Sequence, residues 1–306
     1  MITPPQFRYF LEVARAGSIR AAADRLHIAP SAVSRKIRQL ERDLGARLLE
    51  RRARGVILTE AGTVYARYAL DAVHSLQRVQ SELELLRGLQ RGHIGIAAVE
   101  GVIADLLAPV VAQFRRKFSG ITFSITVRGT DEVARAVRDG NTDIGLAFYA
   151  EPHENLQFVE RSPDPICAVL APDHPLALRT SLYLTEVMSE PLAIPVSSFG
   201  IRHMIDAECQ NLSRQISPVL ETNSIETMRG FARDGAGITF LTRISVWRDL
   251  SAGRLVAVPM SDASFRKATI DLIVMAGRDL PLAAGEFVDF LRGKMVRLAH
   301  QRSAIP

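Results

Sequence analysis

Ser31, Ser34, Arg35, Arg38 and Arg42 fall on one side of a helical wheel. Val33, Ile37, Leu40 and Leu44 fall on the other, at steps of four, three and four, which predicts one buried face. Hydroxyls are short donors for base edges or phosphates, and guanidiniums suit guanine or the sugar-phosphate backbone. An isolated amphipathic helix with a solvated basic face would carry the same pattern. The surrounding charge favours the nucleic-acid reading. Residues 1–60 hold twelve Lys or Arg against six Asp or Glu, a net +6, while the whole chain is +5, so residues 61–306 carry a net −1. Phosphate binding is the usual reason for such asymmetry.

The elements that would hold those side chains are short and well punctuated. Ser18 is a good N-cap for a helix over 18–26, and Gly17 can end the helix before it. His27-Ile28-Ala29 forms the turn, and Pro30 suits a first helical position. Residues 5–16 read as a further helix whose Phe7, Phe10, Leu11 and Ala14 close a three-helix core with Leu26 and Ile37. Residues 47–51 and 56–59 read as two short strands around a turn at 52–55, a hairpin carrying Arg51, Arg52 and Arg54. That hairpin is either a wing or a solvated charged turn; its place just after a recognition-helix candidate favours the wing. Residues 60–89 contain no proline, and Tyr65, Ala69, Ala72, Leu76, Val79, Leu83 and Leu86 recur as a heptad seam. Such a seam needs a partner helix, so the pattern predicts a dimer through residues 61–89, with packing on the chain's own next domain as the alternative. Gly88, Gly92 and Gly95 suggest a hinge.

From residue 93 the rhythm changes. Strands are expected at 94–99, 121–127 and 143–149, with helices at 102–118 and 131–139 between them, a βαβαβ order that predicts a parallel sheet. Further strands are expected at 167–170, 192–195, 219–222, 237–241, 255–258 and 269–274, with helices at about 202–211, after Asn223 and at 284–298. Asn223 with Glu226 three residues on reads as a capping box.

Residues 5–62 resemble the LysR-type transcriptional regulators. The matching run is Phe7 to Ala14, Gly17-Ser18-Ile19-Arg20-Ala21-Ala22-Ala23, Leu26, Pro30-Ser31-Ala32-Val33-Ser34-Arg35, Ile37, Leu40-Glu41, Leu44-Gly45, Leu48-Leu49-Glu50-Arg51 and Leu58-Thr59-Glu60-Ala61-Gly62. Two departures stand out: Ala29 where many members have Gln, and Leu49 where Phe is more usual. The resemblance implies an N-terminal winged helix-turn-helix (1–60), a long dimerisation helix (61–89) and a C-terminal α/β, two-lobed, periplasmic-binding-protein-like effector domain (90–306). Lobe I would be about 90–162 and 265–300, and lobe II about 163–264. It implies that Arg20, Pro30, Ser31, Ala32, Ser34, Arg35, Arg38, Arg51, Arg52 and Arg54 face double-stranded operator DNA. It also implies pairing of dimers into tetramers, and RNA polymerase as a further partner.

In such a two-lobed domain the ligand lies at the carboxyl ends of the strands. The turns there supply Val99, Glu100, Gly101, Arg128, Phe148, Phe199, Gly200, Arg202, Asn223 and Ser224. Helix N-termini at Val102, Asp131 and Ser224 would offer amides to an anion, and Arg128 and Arg202 would pair a carboxylate, so a small organic anion is the expected effector. Glu100 opposes this: it would repel an anion, bind a cationic group or pair with an arginine. Asn223 is as good a cap as a ligand contact.

Catalysis finds little support. The sequence has no Gly-x-Ser-x-Gly elbow, phosphate loop or His-Glu-x-x-His, and its seven histidines lack metal-ligand spacing, so no cofactor is expected beyond the effector. Cys167 and Cys209 do not make a disulfide framework; a buried structural role for Cys167 outweighs a redox pair. No charged start followed by an apolar run, and no long uncharged apolar stretch, predicts neither signal peptide nor membrane span, hence a cytoplasmic protein. The expectation is a regulator controlled by a small molecule. The alternatives are an effector-free DNA binder and a solute-binding protein of the same two-lobed fold.

Overall fold

The computed structural model describes residues 4–52, 55–85 and 92–303, without the side chains at 51, 74, 77, 78, 80–85 and 299–303. The chain divides into two compact units, residues 1–87 and 88–306.

The first unit contains α1 (Pro5–Ala16), α2 (Ile19–Leu26), α3 (Pro30–Leu44), a hairpin of β1 (Leu49–Arg52) and β2 (Gly55–Leu58), and α4 (Glu60–Leu85). Ser18 caps α2 by accepting the Ala21 amide, and Gly17 and Gly45 end α1 and α3 in the left-handed conformation. The core is built from Phe7, Phe10 and Val13 of α1, Ala22 and Ala23 of α2, and Val33, Ile37 and Leu40 of α3. The buried stripe of α1 thus runs every third residue through Val13; Leu11 and Ala14 are only half buried. Leu44 corrects the expected face of α3: it is the last helical residue and is 47% exposed. β1 and β2 pair antiparallel from Leu49↔Leu58 to Arg52↔Gly55, the first strand starting two residues later and ending one later than expected.

The seam of α4 also needs correction. Tyr65 and Ala69 are buried in the unit's own core, with the Tyr65 ring edge-on to Phe10 at 5.0 Å between centroids. The first turns of the seam therefore close onto α1, a use that heptad spacing alone does not separate from dimerisation. Val79, farther along, is 51% exposed, so it is available to a partner. Leu83's side chain, Leu86 and Gly88 lie outside the described residues.

The second unit has two five-stranded sheets. In lobe I the order is β4 (Ile121–Val127), β3 (Gly92–Ala98), β5 (Ile144–Phe148), β12 (Thr269–Met275), β6 (Leu156–Pro163). In lobe II it is β11 (Val256–Pro259), β7 (Ile166–Leu170), β10 (Ile238–Thr242), β8 (Leu192–Pro195), β9 (Leu220–Thr222). Lobe I carries α5 (Ala108–Lys117), α6 (Thr130–Arg138) and α12 (Leu282–Ser303); lobe II carries α7 (Leu184–Val187), α8 (Gly200–Asn211), α9 (Ile225–Arg233), α10 (Trp247–Ser251) and α11 (Ala263–Arg266).

β3 is parallel to β4 and β5, as the βαβαβ rhythm predicts, but β12 joins antiparallel to both β5 and β6, so the sheet is mixed. Lobe II is mixed too: β8 is parallel to β9 and β10, while β7 is antiparallel to β10 and β11. The chain crosses between the lobes after β6 and again before β12, and the crossovers meet where the Asp164 amide donates to the Ala268 carbonyl at 3.0 Å.

The helix expected over 102–118 is not uniform. Residues 100–102 form a 3-10 turn, and Ile103–Leu107 a π turn, before α5. Pro109 has no amide to donate and its ring clashes with the carbonyl four residues back, so wider winding ahead of it is the expected relief.

Candidate functional site

On the first unit, α3 turns Ser31, Arg35 and Arg38 to solvent, with Pro30 exposed at its start and Ala32 and Ser34 half buried. Arg20, near the start of α2, is exposed as well. The Arg38 Nε donates to the Ser34 carbonyl at 3.4 Å, laying that guanidinium along the helix. In the hairpin Arg52 is exposed and pairs with Glu50 at 3.2 Å. Arg54 and the Arg51 side chain lie outside the described residues.

The position of the hairpin is fixed by a residue that sequence reasoning passed over. The Glu41 carboxylate, one turn from the end of α3, accepts the amides of Leu48 and Leu49. From the other side the Val56 amide donates to the Gly17 carbonyl at 2.8 Å. The hairpin is thus tied to both α3 and the turn before α2. An acid within a basic helix was the available signal.

In the second unit a cavity lies between the lobes. It is lined by the ends of β3, β4 and β5 and the segments that follow them (Val99, Glu100, Gly101, Arg128, Gly129, Thr130, Phe148). Lobe II contributes Phe199, Gly200, Ile201, Ile225, Thr242 and Ser245. Seven of the ten sequence-predicted effector residues are in that lining. Thr242, Ser245 and Ile270 were not foreseen, because the ends of β10 and β12 were not read as cleft turns; Ile225 enters the lining from the residue just after the expected Asn223-Ser224 turn.

The lobes are close together. A Cβ on Gly129 would stand 2.6 Å from the Ser198 carbonyl oxygen, and one on Gly200 would stand 2.7 Å from the Phe148 ring. Side chains at either position would hold the lobes apart. The cavity volume is about 30 Å³, space for about two water molecules. A wider cavity of about 320 Å³ adjoins it through Thr130, Phe148 and Gly200 and is edged by Tyr149, His203, Ser264 and Lys267.

The rim of that wider part is rigidly set. Asp271, fully buried on β12, accepts the Ala150 amide at 2.7 Å and pairs with Arg161 at 3.1 Å. Arg161 in turn donates to the Ala150 carbonyl at 2.8 Å. This holds the turn in which Tyr149 takes a left-handed φ of 49°, an uncommon conformation for a residue with a side chain.

Three predicted residues are not among the lining. Arg202 is engaged elsewhere: its Nε meets Asp206 at 2.8 Å, and its Nη1 meets the Pro195 carbonyl at 3.0 Å and Glu221 at 3.4 Å. One face of α8 carries both Arg202 and Asp206, and the i, i+4 pair turns the guanidinium along its own helix. Asn223 is exposed, and it is not the cap. Ser224 caps α9 instead, accepting the Thr227 amide at 3.2 Å, so the N-cap lies one residue later than expected and the position three residues on is Thr227, not the Glu226 of the expected capping box. Arg128 does line the cavity; its closest acidic neighbour is Glu132 at 4.0 Å, and its side chain is 45% exposed.

Glu100 crosses the cleft. Its Oε1 accepts the Ile225 amide at the start of α9 at 2.9 Å. Burial, above all, raises its pKa, with the nearby Glu226 carboxylate adding to this, while the amides of Ile225 and Glu226 work the other way. The arginine partner offered by sequence reasoning is replaced by a helix end.

Among the described residues no group of three or more His, Cys, Asp or Glu is placed to hold a metal ion, and no helix is long and apolar enough to cross a membrane. Cys167 is buried on β7, and burial pushes its thiol up to about 12.

Comparison with known proteins finds two matching family models. Residues 5–63 match the bacterial regulatory helix-turn-helix protein, lysR family, and residues 87–296 match the LysR substrate binding domain. The chain is 27% identical over 294 residues to a RuBisCO operon transcriptional regulator of Allochromatium vinosum, covering 96% of each. It is 31% identical over 289 residues to an uncharacterised HTH-type transcriptional regulator of Mycobacterium tuberculosis, covering 91% of this chain and 92% of that one. Among solved structures, a full-length OxyR variant from Pseudomonas aeruginosa is similar in fold, with a TM-score of 0.71 at 19% identity over 94% of this chain and 93% of that one. CbnR complexed with its target DNA has a TM-score of 0.56 at 19% identity, over 94% of this chain and 98% of the other.

Proposed function

The chain belongs to the LysR family of bacterial transcriptional regulators, and on that premise we propose how its parts divide the work. Residues 1–60 bind operator DNA, residues 61–89 pair two chains, and residues 90–306 bind the effector. Ser31, Ala32, Ser34 and Arg35 on α3 meet base edges. Pro30, Arg20, Arg38 and the hairpin arginines 51, 52 and 54 meet the backbone or the minor groove, where narrow tracts attract arginine. Two such units on a two-fold axis read two half-sites. Val79, exposed beyond the part of α4 that serves its own core, supports pairing through the later turns of that helix. Pairs of dimers and contact with RNA polymerase complete the assembly, in the cytoplasm where the DNA lies.

The effector is a small organic anion with an apolar body. The carrying observation is the interlobe cleft: an apolar inner part walled mainly by Val99, Phe148, Phe199, Ile201, Ile225 and Ile270, with Arg128 at its edge, adjoining through Thr130, Phe148 and Gly200 the part of about 320 Å³ that has room for a ligand. Arg128 replaces Arg202 as the carboxylate anchor. Differential binding of about 1–3 kcal/mol between two lobe arrangements changes DNA affinity about 5–150-fold.

The test is a thermal-shift screen of the full-length protein against carboxylates, amines and neutral metabolites. A ligand at a hundred times its dissociation constant stabilises by about 2.7 kcal/mol. A carboxylate hit lost in Arg128→Ala supports the reading. Hits confined to amines would reverse the charge preference, and silence across metabolite classes would favour an effector-free regulator.

A further inference from the structure

The start of α9 is an anion position by its physics: free amides at a helix N-terminus carry partial positive charge. In this chain the position is filled from across the cleft. Glu100, in the turn after β3 of lobe I, places Oε1 2.9 Å from the Ile225 nitrogen of lobe II, 125 residues away in sequence. Glu100 shares the lining of the interlobe cavity with Val99, Ile201 and Ile225. The glycines at 129 and 200 let the lobes approach closely enough for this reach.

We infer that Glu100 is an internal carboxylate ligand: it occupies the carboxylate site at the N-terminus of α9 and straps the two lobes together until a small carboxylate from solution takes its place. The inference rests on the reading of this cavity as the effector site only for the identity of the displacing molecule. An effector carboxylate held by Arg128 competes with Glu100 for the Ile225 amide. Once displaced, Glu100 no longer ties lobe I to lobe II, so ligand exchange at one amide changes the coupling between the lobes. No covalent step is involved; one acceptor replaces another. Glu100 also sets a threshold, because a weak or poorly fitting anion does not outcompete a carboxylate already tethered in place.

The experiment uses full-length wild type, Glu100→Ala and Glu100→Gln, with acetate as the probe and equimolar acetamide or chloride as controls. Hydrogen exchange at the Ile225 and Glu226 amides and the thermal midpoint are read together. Glu100→Ala should exchange faster at those amides, at least tenfold, and melt several degrees lower. Acetate at about 0.1 M should restore most of both, acetamide and chloride little, and wild type should not respond. Glu100→Gln, which keeps a carbonyl acceptor, should retain protection near that of wild type. The inference is overturned if Glu100→Ala exchanges like wild type, if acetate restores no more than chloride, or if Glu100→Gln loses protection completely. Should Glu100→Ala fail to give a cooperative melt, the glutamine variant decides alone. Failed rescue with a metabolite still bound in the screen removes the strap and leaves the effector cavity standing. Successful rescue with no metabolite bound does the reverse.

Discussion

The Glu41 carboxylate accepts the Leu48 amide at 2.9 Å, and the same oxygen takes the Leu49 amide at 3.2 Å. An acid on the helix proposed to face DNA should weaken DNA binding by charge alone, so removing it sets electrostatics against geometry. Glu41→Ala frees the hairpin from α3 and leaves two amides to find water. We expect a stability loss of about 1–2 kcal/mol, since hydrogen bonds to a charged group contribute about 1.5–3 kcal/mol before discounting for partial exposure. We also expect DNA affinity to fall about tenfold, measured by anisotropy on a duplex selected from a random-sequence pool. Tighter binding by the variant would mean that the hairpin contributes nothing to the interface.

Arg35 and Arg38 should separate base reading from phosphate binding. Arg35 is exposed on the outer face of α3, whereas Arg38 is drawn along the helix by the Ser34 carbonyl. Arg35→Ala should cost about 1–3 kcal/mol on the selected duplex and relax preference at one base pair. Arg38→Ala should weaken binding to all sequences alike and reduce the slope of log affinity against log salt by about one. Affinities equal to wild type in both variants would remove α3 from the groove.

The Arg202 side chain is 20% exposed, and its guanidinium is held by Asp206, Glu221 and a main-chain carbonyl. Arg202→Ala should therefore lower stability by about 1–2 kcal/mol and leave the ligand response intact, whereas Arg128→Ala should do the opposite. Thermal melts with and without the screened effector read both quantities. Loss of response in Arg202→Ala at unchanged stability would return Arg202 to the site.

Asp271 is fully buried and satisfies the Ala150 amide together with Arg161. Asp271→Ala leaves that amide and the Arg161 guanidinium, on a side chain 39% exposed, without their acceptor. A loss of about 2–4 kcal/mol is expected in denaturant melts, with faster exchange at Ala150. A loss below 0.5 kcal/mol, the usual range for surface sites, would show that the turn at Tyr149 is held by something else.

Local rules carried much of this fold and missed where distant elements meet. Ser18, Pro30 and Gly45 mark their helix ends because capping and φ preference act over a few residues. β6 was missed: its Gln157, Glu160 and Arg161 interrupt the apolar run, and its pairing with β12 is a long-range fact. The seam in α4 was read as one surface although Tyr65 and Val79 face different surroundings; helical spacing is blind to what lies opposite. In the cleft, strand-end turns were legible from the α/β rhythm, so Arg128, Phe148 and Phe199 were found. Glu100's partner was not, since it depends on the packing of α9 against a turn 125 residues away, and Arg202 was read as facing the cleft although its i, i+4 neighbour Asp206 draws it along α8.

Cys167 supplies a pH prediction. Burial on β7 is the main cause that raises its thiol from 9.0 to about 12; the Asp164 carboxylate adds to the rise, and Arg243 opposes it. A raised folded-state pKa means that the unfolded chain gives up the proton first. The contribution to stability is therefore present below pH 9 and is lost as pH rises from 9 toward 12, at up to about 1.4 kcal/mol per pH unit. Wild type should lose about 1 kcal/mol more than Cys167→Ala between pH 9 and pH 10, on urea melts of the two at each pH. At pH 8 the native thiol should resist iodoacetamide, because the thiolate is the nucleophile and it is suppressed here. Rapid alkylation of Cys167 in the folded protein, or equal pH slopes in the two chains, would contradict the burial argument and reopen a redox role for this cysteine.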